Sequence, residues 1–151
     1  MKSAVVLLSG GLDSTVNLFM AAAEYEKIWA LTFNYGQRAA HAEIRAARWY
    51  CHHLRIEHRV VDLPFFSWFT KSALIEPTAV LPQGEAVSID DAHVSERTAQ
   101  AVWVPNRNGI FLNIAAGFAE GWGAKVVIPG FNKEEAATFP DNSGSFMSAL
   151  D

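Results

Sequence analysis

The sequence contains one cysteine, Cys51, and none of its apolar stretches approaches the roughly 20 residues that a membrane-spanning helix needs. A single cysteine excludes an internal disulfide bond, which is typical of the reducing cytoplasm, where we expect the protein to act. The apolar run at the start is too short for a signal peptide and leads directly into a glycine turn. We therefore expect no cleaved leader.

Runs of lysine and arginine are also missing, and the net charge is −4. Proteins that bind nucleic acid without sequence specificity are usually basic, so this composition disfavours a nucleic-acid partner. The lack of a long apolar stretch likewise disfavours a membrane partner. Half of the residues are hydrophobic and 12% are aromatic, which predicts a folded domain with a substantial core.

Short apolar runs alternate with helical patterns along the chain. We predict strands over residues 5–8, 28–33, 56–63 and 125–128, and helices over residues 14–25 and 37–54. A third helix is predicted to begin with Asn108 as its N-cap and to end near Gly121, and a fourth to begin near Ser143. This alternation predicts an α/β fold built on a parallel sheet with right-handed crossovers.

The first helix is predicted from Val16, Phe19, Met20 and Ala23, which recur at helical spacing. Residues 64–102 break the alternation, because prolines interrupt them and aromatic residues cluster at their start. We expect short helical turns there and a mobile excursion that acts as a lid.

Residues 9–15, which read Ser-Gly-Gly-Leu-Asp-Ser-Thr, join the first strand to the first helix. The two glycines let the backbone approach a ligand closely, and Ser14 or Asp13 is expected to cap the helix, whose first amide groups bind anions. The loop has neither a Walker lysine nor the three-glycine dinucleotide pattern. Because a carboxylate repels phosphates unless a cation bridges them, Asp13 indicates Mg²⁺. A plain glycine turn would not explain these hydroxyl and carboxyl groups.

Ligands of an open parallel sheet bind beyond the carboxyl ends of its strands. The segments that follow the predicted strands are 9–14, 34–38, 62 onward and 130–142, and three of them are rich in polar residues. A phosphate loop without lysine needs positive charge from elsewhere to stabilise a departing pyrophosphate. We choose Arg107 for this role over a plain surface arginine, with Arg38 and Lys133 as weaker candidates.

Several segments resemble those of a known family. Ser9-Gly-Gly-Leu-Asp-Ser14 resembles the pyrophosphate loop (PP-loop) of the N-type ATP pyrophosphatases, which cleave ATP between the α- and β-phosphates. Three more are similar to segments of the 7-cyano-7-deazaguanine synthase family: Phe33-Asn-Tyr-Gly-Gln-Arg38 with His41 and Glu43, Val104-Pro-Asn-Arg-Asn108, and Gly130-Phe-Asn-Lys-Glu-Glu with Phe139-Pro-Asp141. The resemblance implies a Rossmann-like open sheet with helices on both faces, in a single PP-loop domain over residues 1–151 that is incomplete at its C-terminus.

The resemblance implies an ATP-dependent ligase of queuosine biosynthesis. Such an enzyme converts 7-carboxy-7-deazaguanine and ammonia to 7-cyano-7-deazaguanine (preQ0) through an acyl-adenylate and an amide. It also implies a homodimer, and a four-cysteine zinc site near the C-terminus for which this chain has no ligands. The alternatives are another PP-loop adenylating enzyme, such as a tRNA-modifying enzyme or an amide synthetase, and a nucleotide-binding fragment without catalysis. The lone cysteine disfavours sulfur transfer.

Roles follow residue by residue from the matched motifs. The catalytic residues are expected to be Asp13, Ser14, Arg107 and Lys133. Residues expected to bind ATP are Leu8, Ser9, Gly10, Gly11, Leu12, Asp13, Ser14, Thr15, Val16, Phe33, Tyr35 and Arg38. Phe33 or Tyr35 either stacks on a purine or packs in the core. Asn108, Glu135 and Asp141 are assigned to the deazaguanine substrate, with two alternatives: Glu135 as a helix-start residue, and Asp141 as a cap for the helix near Ser143.

Overall fold

The computed structural model describes residues 1–76, 101–131 and 139–150. Strands and helices alternate along the chain, with 3₁₀ turns at Pro64–Trp68 and Pro140–Asn142. The strands are β1 (Ser3–Leu7), β2 (Lys27–Asn34), β3 (Glu57–Asp62) and β4 (Val126–Ile128), and the helices are α1 (Leu12–Glu24), α2 (Ala40–Leu54), α3 (Arg107–Trp122) and α4 (Gly144–Leu150). Most of the predicted lid over residues 64–102 lies outside the described residues, as do Lys133 and Glu135.

The four strands form one parallel sheet in the order β3-β2-β1-β4. Every residue of β1 is buried, as expected for a strand that lies inside a parallel sheet and is covered on both faces. The chain leaves β1 toward β2 and β3 and later returns to the other side of β1 as β4. This reversal of strand order places a crevice at the carboxyl ends of β1 and β4, where such sheets bind ligands. The predicted α/β fold is confirmed.

Helices cover both faces of the sheet. On one face, Val5, Leu31 and Phe33 pack with residues of α3 such as Leu112 and Ala115. On the other face, alternate strand residues pack with residues of α1 and α2, among them Val6, Ala30, Leu18, Ala47 and Cys51. The alternation follows from the two-residue period of a strand.

The apolar residues whose spacing predicts α1 do not form its buried face. Val16, Phe19 and Met20 are 47%, 43% and 63% exposed, whereas the helix buries Ser14, Leu18 and Ala21. Because α1 carries apolar residues around most of its circumference, hydrophobic spacing alone does not select the face. The close approach of Gly130 to Ser14 helps to set the rotation of the helix: a Cβ added at Gly130 would lie 3.1 Å from that of Ser14.

Two helix starts also differ from the prediction. The N-cap of α1 is Gly11, and neither Ser14 nor Asp13 caps it. The N-cap of α3 is Asn106, with a φ of 50°, a left-handed conformation that asparagine tolerates well. Asn108 therefore lies inside α3, where its side chain is buried.

Within the described ranges, no helix combines the length and the apolar character that crossing a membrane would require.

Candidate functional site

Hydrogen bonds of two serine hydroxyl groups fix the conformation of the loop from β1 to α1. The Ser14 Oγ accepts from the backbone N–H of Ser9 at 3.2 Å and lies 3.0 Å from the Ser9 Oγ, which in turn accepts from the Gly11 N–H at 3.2 Å. Ser14 also donates to the Gly11 carbonyl oxygen at 3.2 Å. These bonds hold residues 9–14 in a tight ring whose glycine backbone is open to solvent at Gly11.

The loop rests directly on α2. Gly10 has a φ of +81°, and a Cβ built there would lie 2.9 Å from the carbonyl oxygen of Glu43 and 3.0 Å from the Cβ of Ala46. Both the left-handed backbone and the lack of space require glycine at this position. The first glycine of the loop is thus a packing residue, and the second, Gly11, faces the crevice.

A cavity of about 450 Å³ opens at the carboxyl ends of the strands. This volume lies within the range of roughly 300–1,000 Å³ that small-molecule sites occupy. The residues predicted for the site that line it are Leu8, Ser9, Gly11, Leu12, Asp13, Ser14, Phe33, Tyr35, Arg38, Arg107 and Asn108. Sequence segments separated by about a hundred residues therefore meet in one pocket, as the position of the polar segments after the strands predicts.

Three residues predicted to bind ATP do not line this cavity: Gly10, Thr15 and Val16. Gly10 packs against α2, and Val16 is 47% exposed on α1. The Thr15 Oγ1 is buried and has no hydrogen-bond partner among the residues that the structure describes. The role of these three residues in binding stays a prediction.

Arg107 lies at the first turn of α3 and lines the same cavity as the loop. Its Nη1 donates to the Tyr35 Oη at 3.3 Å, and its guanidinium carbon lies 5.9 Å from the centre of the Tyr35 ring. Burial raises the pKa of Tyr35, and the Arg107 charge lowers it by a smaller amount. Tyr35 therefore stays a neutral phenol that accepts from Arg107 and orients the guanidinium.

The aromatic residues of the cavity are engaged with one another. The Phe33 ring stacks on Phe111 at 4.3 Å, and Tyr35 packs against Phe66 and Phe111 at 5.5 and 5.4 Å. At least one face of the Phe33 ring is therefore covered by another side chain, that of Phe111. Stacking of Phe33 or Tyr35 on a purine stays a prediction.

Asp141 lies beside the N-terminus of α3 rather than capping the helix near Ser143. Its Oδ2 accepts from the backbone N–H of Asn108 at 3.4 Å, and the Asn108 side chain donates to Asn142 Oδ1 at 2.7 Å. Ser143 itself accepts from the Phe146 N–H and caps α4. The alternative in which Asp141 caps the helix near Ser143 is therefore wrong. Its carboxylate lies instead at the start of α3, where a negative charge is favourable.

Sequence reasoning missed three polar residues of the cavity wall, Gln37, Glu43 and Asn142. The Gln37 side-chain amide donates to the Phe33 carbonyl oxygen at 3.0 Å and to Glu43 Oε2 at 2.8 Å, and its Oε1 accepts from the Tyr35 N–H at 3.0 Å. Gln37 therefore clamps the segment after β2 onto α2. Its place within a motif matched to the family is a signal that could have singled it out.

Cys51 is buried in the core, and burial raises its pKa to about 11, so its thiol is neutral and unsuited to bind a metal. Over residues 1–76, 101–131 and 139–150, no group of three or more histidine, cysteine, aspartate or glutamate side chains is placed to hold a metal ion.

Comparison with a solved structure supports the fold. The U34-tRNA thiolase NcsA from Methanococcus maripaludis superposes with a TM-score of 0.56 at 16% identity, over 99% of this chain and 47% of that one. At this level of identity the similarity shows a shared fold alone.

Sequence comparisons identify the family. The 7-cyano-7-deazaguanine synthase of Bdellovibrio bacteriovorus is 59% identical over 147 residues, which cover 97% of this chain and 64% of the relative. That of Pelotomaculum thermopropionicum is 49% identical over 145 residues, covering 96% and 66%. The chain thus spans about two-thirds of the length of these relatives. Residues 3–151 match the family model described as "Queuosine biosynthesis protein QueC". This chain therefore belongs to the QueC family.

Proposed function

We propose that the protein is an ATP-dependent ligase that converts 7-carboxy-7-deazaguanine and ammonia to 7-cyano-7-deazaguanine. The observation that carries the proposal is that the loop after β1 and Arg107 line the same cavity. The identity of 59% to a synthase of that name supports the choice of substrate.

The loop would hold the triphosphate of ATP. The Gly11 N–H lies at the N-terminus of α1, where the helix dipole favours an anion, and its present partner is a neutral hydroxyl oxygen. A phosphate oxygen is a stronger acceptor than that hydroxyl, so it can replace Ser9 as the partner. The substrate carboxylate would then attack the α-phosphorus, forming an acyl-adenylate and releasing pyrophosphate.

Ammonia would displace AMP from the acyl-adenylate to give the amide and a proton. A second ATP would activate the amide oxygen in the same way, and loss of AMP and a proton would leave the nitrile. Each nitrile thus requires two ATP and releases two pyrophosphate and two AMP. No redox step is involved, in agreement with the buried and inert thiol of Cys51.

Asp13 is the residue proposed to hold Mg²⁺. Its carboxylate is exposed at the mouth of the cavity, beside the loop that would carry the phosphates. Carboxylate and phosphate oxygens are ligands that Mg²⁺ prefers, and the ion would neutralise charge on the departing pyrophosphate. Zn²⁺, which the family resemblance implies, has no proposed ligands in this chain.

Arg107 would stabilise the negative charge that builds on the leaving pyrophosphate. Its hydrogen bond to the Tyr35 Oη orients it, and because it lines the same cavity as the loop it would lie near the phosphates. Arg38 lines the same cavity and would add positive charge, while Lys133 is proposed from the motif alone.

The deazaguanine is proposed to bind near the N-terminus of α3. The Asp141 carboxylate would accept from the paired N–H donors of the base, and Asn108 and Glu135 would complete the subsite. Asp141 already accepts from a backbone N–H, which helps to hold the carboxylate in place.

Ser14, which is buried, would keep the backbone amides of the loop directed at the phosphates.

The proposal is tested by incubating the protein with ATP, Mg²⁺, ammonium and 7-carboxy-7-deazaguanine, with analysis by mass spectrometry. We expect AMP and the nitrile in a ratio of two to one. AMP without the nitrile would indicate a different adenylating enzyme, and ATP binding without AMP would indicate a nucleotide-binding fragment. Either outcome would contradict the proposed reaction.

The proposed partners are these small molecules together with a second copy of the chain. Exposed apolar residues on α1, including Met20 at 63%, are compatible with an interface between two copies. Light scattering after gel filtration is expected to give twice the chain mass, and a monomer at micromolar concentration would contradict the homodimer.

Gly10→Ala is expected to weaken ATP binding about ten- to hundredfold, in keeping with the roughly 1–3 kcal/mol that a strained backbone conformation costs. The added Cβ would collide with a backbone oxygen of α2, and the loop would have to move. Titration calorimetry measures the change. Gly117→Ala in α3 is the control, because nothing lies within 4 Å of its new Cβ. Equal affinity of Gly10→Ala and the wild type would contradict the account of the loop.

A further inference from the structure

A chain of hydrogen bonds links β3, β2 and the residue that follows β1, on the face that α1 and α2 cover. Thr32 on β2 is 1% exposed, and its Oγ1 lies 2.6 Å from the carbonyl oxygen of Leu8 and 2.7 Å from Nε2 of His58 on β3. Apolar residues such as Ala30 and Ala47 make up most of the core described on this face. Polar groups are buried in such a layer at a cost unless they are paired, and here they pair with one another.

The direction of each hydrogen bond in this chain follows from chemistry. A carbonyl oxygen only accepts, so the single hydroxyl proton of Thr32 goes to Leu8. The Thr32 oxygen must then accept from His58, which places a proton on Nε2. Burial, with a smaller contribution from the Arg48 charge, lowers the pKa of His58, so the ring is neutral at pH 7. Donation thus runs from His58 to Thr32 and on to Leu8.

This chain ends on the peptide group that leads into the loop. The Leu8 carbonyl and the Ser9 N–H belong to one planar peptide. The Thr32 hydroxyl donates to the carbonyl oxygen, and the Ser14 Oγ accepts from the N–H at 3.2 Å. Because both ends of the plane are fixed, the peptide cannot rotate freely, and the backbone of Ser9 leaves the strand in one orientation.

We propose that His58 and Thr32 are positioning residues that preset the phosphate loop for the triphosphate. The proposal rests on the function proposed for that loop. Neither residue lines the cavity, so neither contacts the ligand. By holding the loop in its binding conformation, they reduce the conformational entropy that the loop would otherwise lose when ATP binds. Loss of the pair therefore raises the KM for ATP and leaves kcat nearly unchanged.

Two substitutions at Thr32 separate positioning from packing. Thr32→Val keeps the volume and removes the hydroxyl, whereas Thr32→Ser keeps the hydroxyl and removes a buried methyl group. We expect Thr32→Val to raise the KM for ATP about three- to tenfold, the range that corresponds to one buried hydrogen bond. Thr32→Ser is expected to keep the KM within about twofold of the wild type although it lowers Tm. If the KM for ATP rises in both variants in proportion to their loss of Tm, the effect is one of stability, and the proposal is overturned.

Thr70→Val serves as the matched control. It removes a threonine hydroxyl that accepts from the Ser72 N–H at 3.2 Å, and Thr70 does not line the cavity. We expect an unchanged KM for ATP in this variant. An increase equal to that of Thr32→Val would show a general effect of lost hydroxyl groups and would overturn the proposal.

A spectroscopic test needs no nucleotide. In ¹⁵N spectra of the free protein at pH 7, His58 is expected to be the neutral tautomer with the proton on Nε2, and Thr32→Val is expected to disturb that signal. A proton on Nδ1 in the wild type would overturn the proposed hydrogen-bond chain. Absence of ATP binding by the wild type would instead overturn the function of the loop, whereas an unchanged KM in Thr32→Val would overturn positioning alone.

Discussion

Asp13→Asn is expected to lower pyrophosphate release by about two to three orders of magnitude, as loss of a group that stabilises transition-state charge commonly does. Asparagine has nearly the same shape but no charge, so it binds Mg²⁺ far more weakly. The side chain is exposed at the first turn of α1, where a negative charge gains a small favourable interaction with the helix dipole, so the substitution is expected to cost the fold little. Tm should therefore stay close to that of the wild type.

The measurement is substrate-dependent pyrophosphate release at saturating ATP, with Mg²⁺ varied over a wide range. Glu24→Gln is the matched control, since it removes one exposed carboxylate from the other end of the same helix, and it should leave the rate unchanged. If Asp13→Asn turns over at a normal rate, the assignment of Mg²⁺ to this carboxylate is wrong.

Arg107→Met is expected to lower kcat by about two orders of magnitude, because it removes the positive charge that we propose stabilises the leaving pyrophosphate. Methionine keeps much of the apolar stem, so packing against the Tyr35 ring is partly preserved. Tyr35→Phe keeps the charge but removes the hydroxyl that accepts from Nη1 at 3.3 Å. We expect it to lower kcat by only about three- to tenfold, the worth of one hydrogen bond.

The ranking of these two variants is the informative result. Arg45→Met, on the exposed surface of α2, controls for the loss of one positive charge and should behave as the wild type. A Tyr35→Phe defect as large as that of Arg107→Met would mean that the tyrosine itself takes part in the reaction. Normal turnover by Arg107→Met would assign the role of the cation to another residue.

The β1 strand and the loop after it were predictable because their signals are local. An unbroken apolar run predicts a strand inside a parallel sheet, and glycine, hydroxyl and carboxyl groups directly after it predict an anion site. The meeting of the loop with Tyr35, Arg38 and Gly130 in one cavity was also predictable, since these residues follow parallel strands that end at the same edge.

Other features depend on contacts that sequence spacing does not encode. The buried face of α1 does not follow from hydrophobic spacing because apolar residues surround the helix, and a tertiary contact with Gly130 helps to set its rotation. The start of α3 was placed two residues late because Asn106 and Asn108 are equally good caps by residue type. The bond between Thr32 and His58 joins residues 26 apart in sequence, and only the register of β2 with β3 brings them together.

The most direct test of the proposed chemistry follows the oxygen atoms of the substrate. 7-Carboxy-7-deazaguanine labelled with ¹⁸O in its carboxylate is incubated with the protein, ATP, Mg²⁺ and ammonium, and the nucleotide products are analysed by mass spectrometry. Attack on the α-phosphorus predicts one ¹⁸O atom in each of the two AMP molecules formed per nitrile, and none in pyrophosphate. Label in orthophosphate together with ADP would place the attack at the γ-phosphorus and contradict the account.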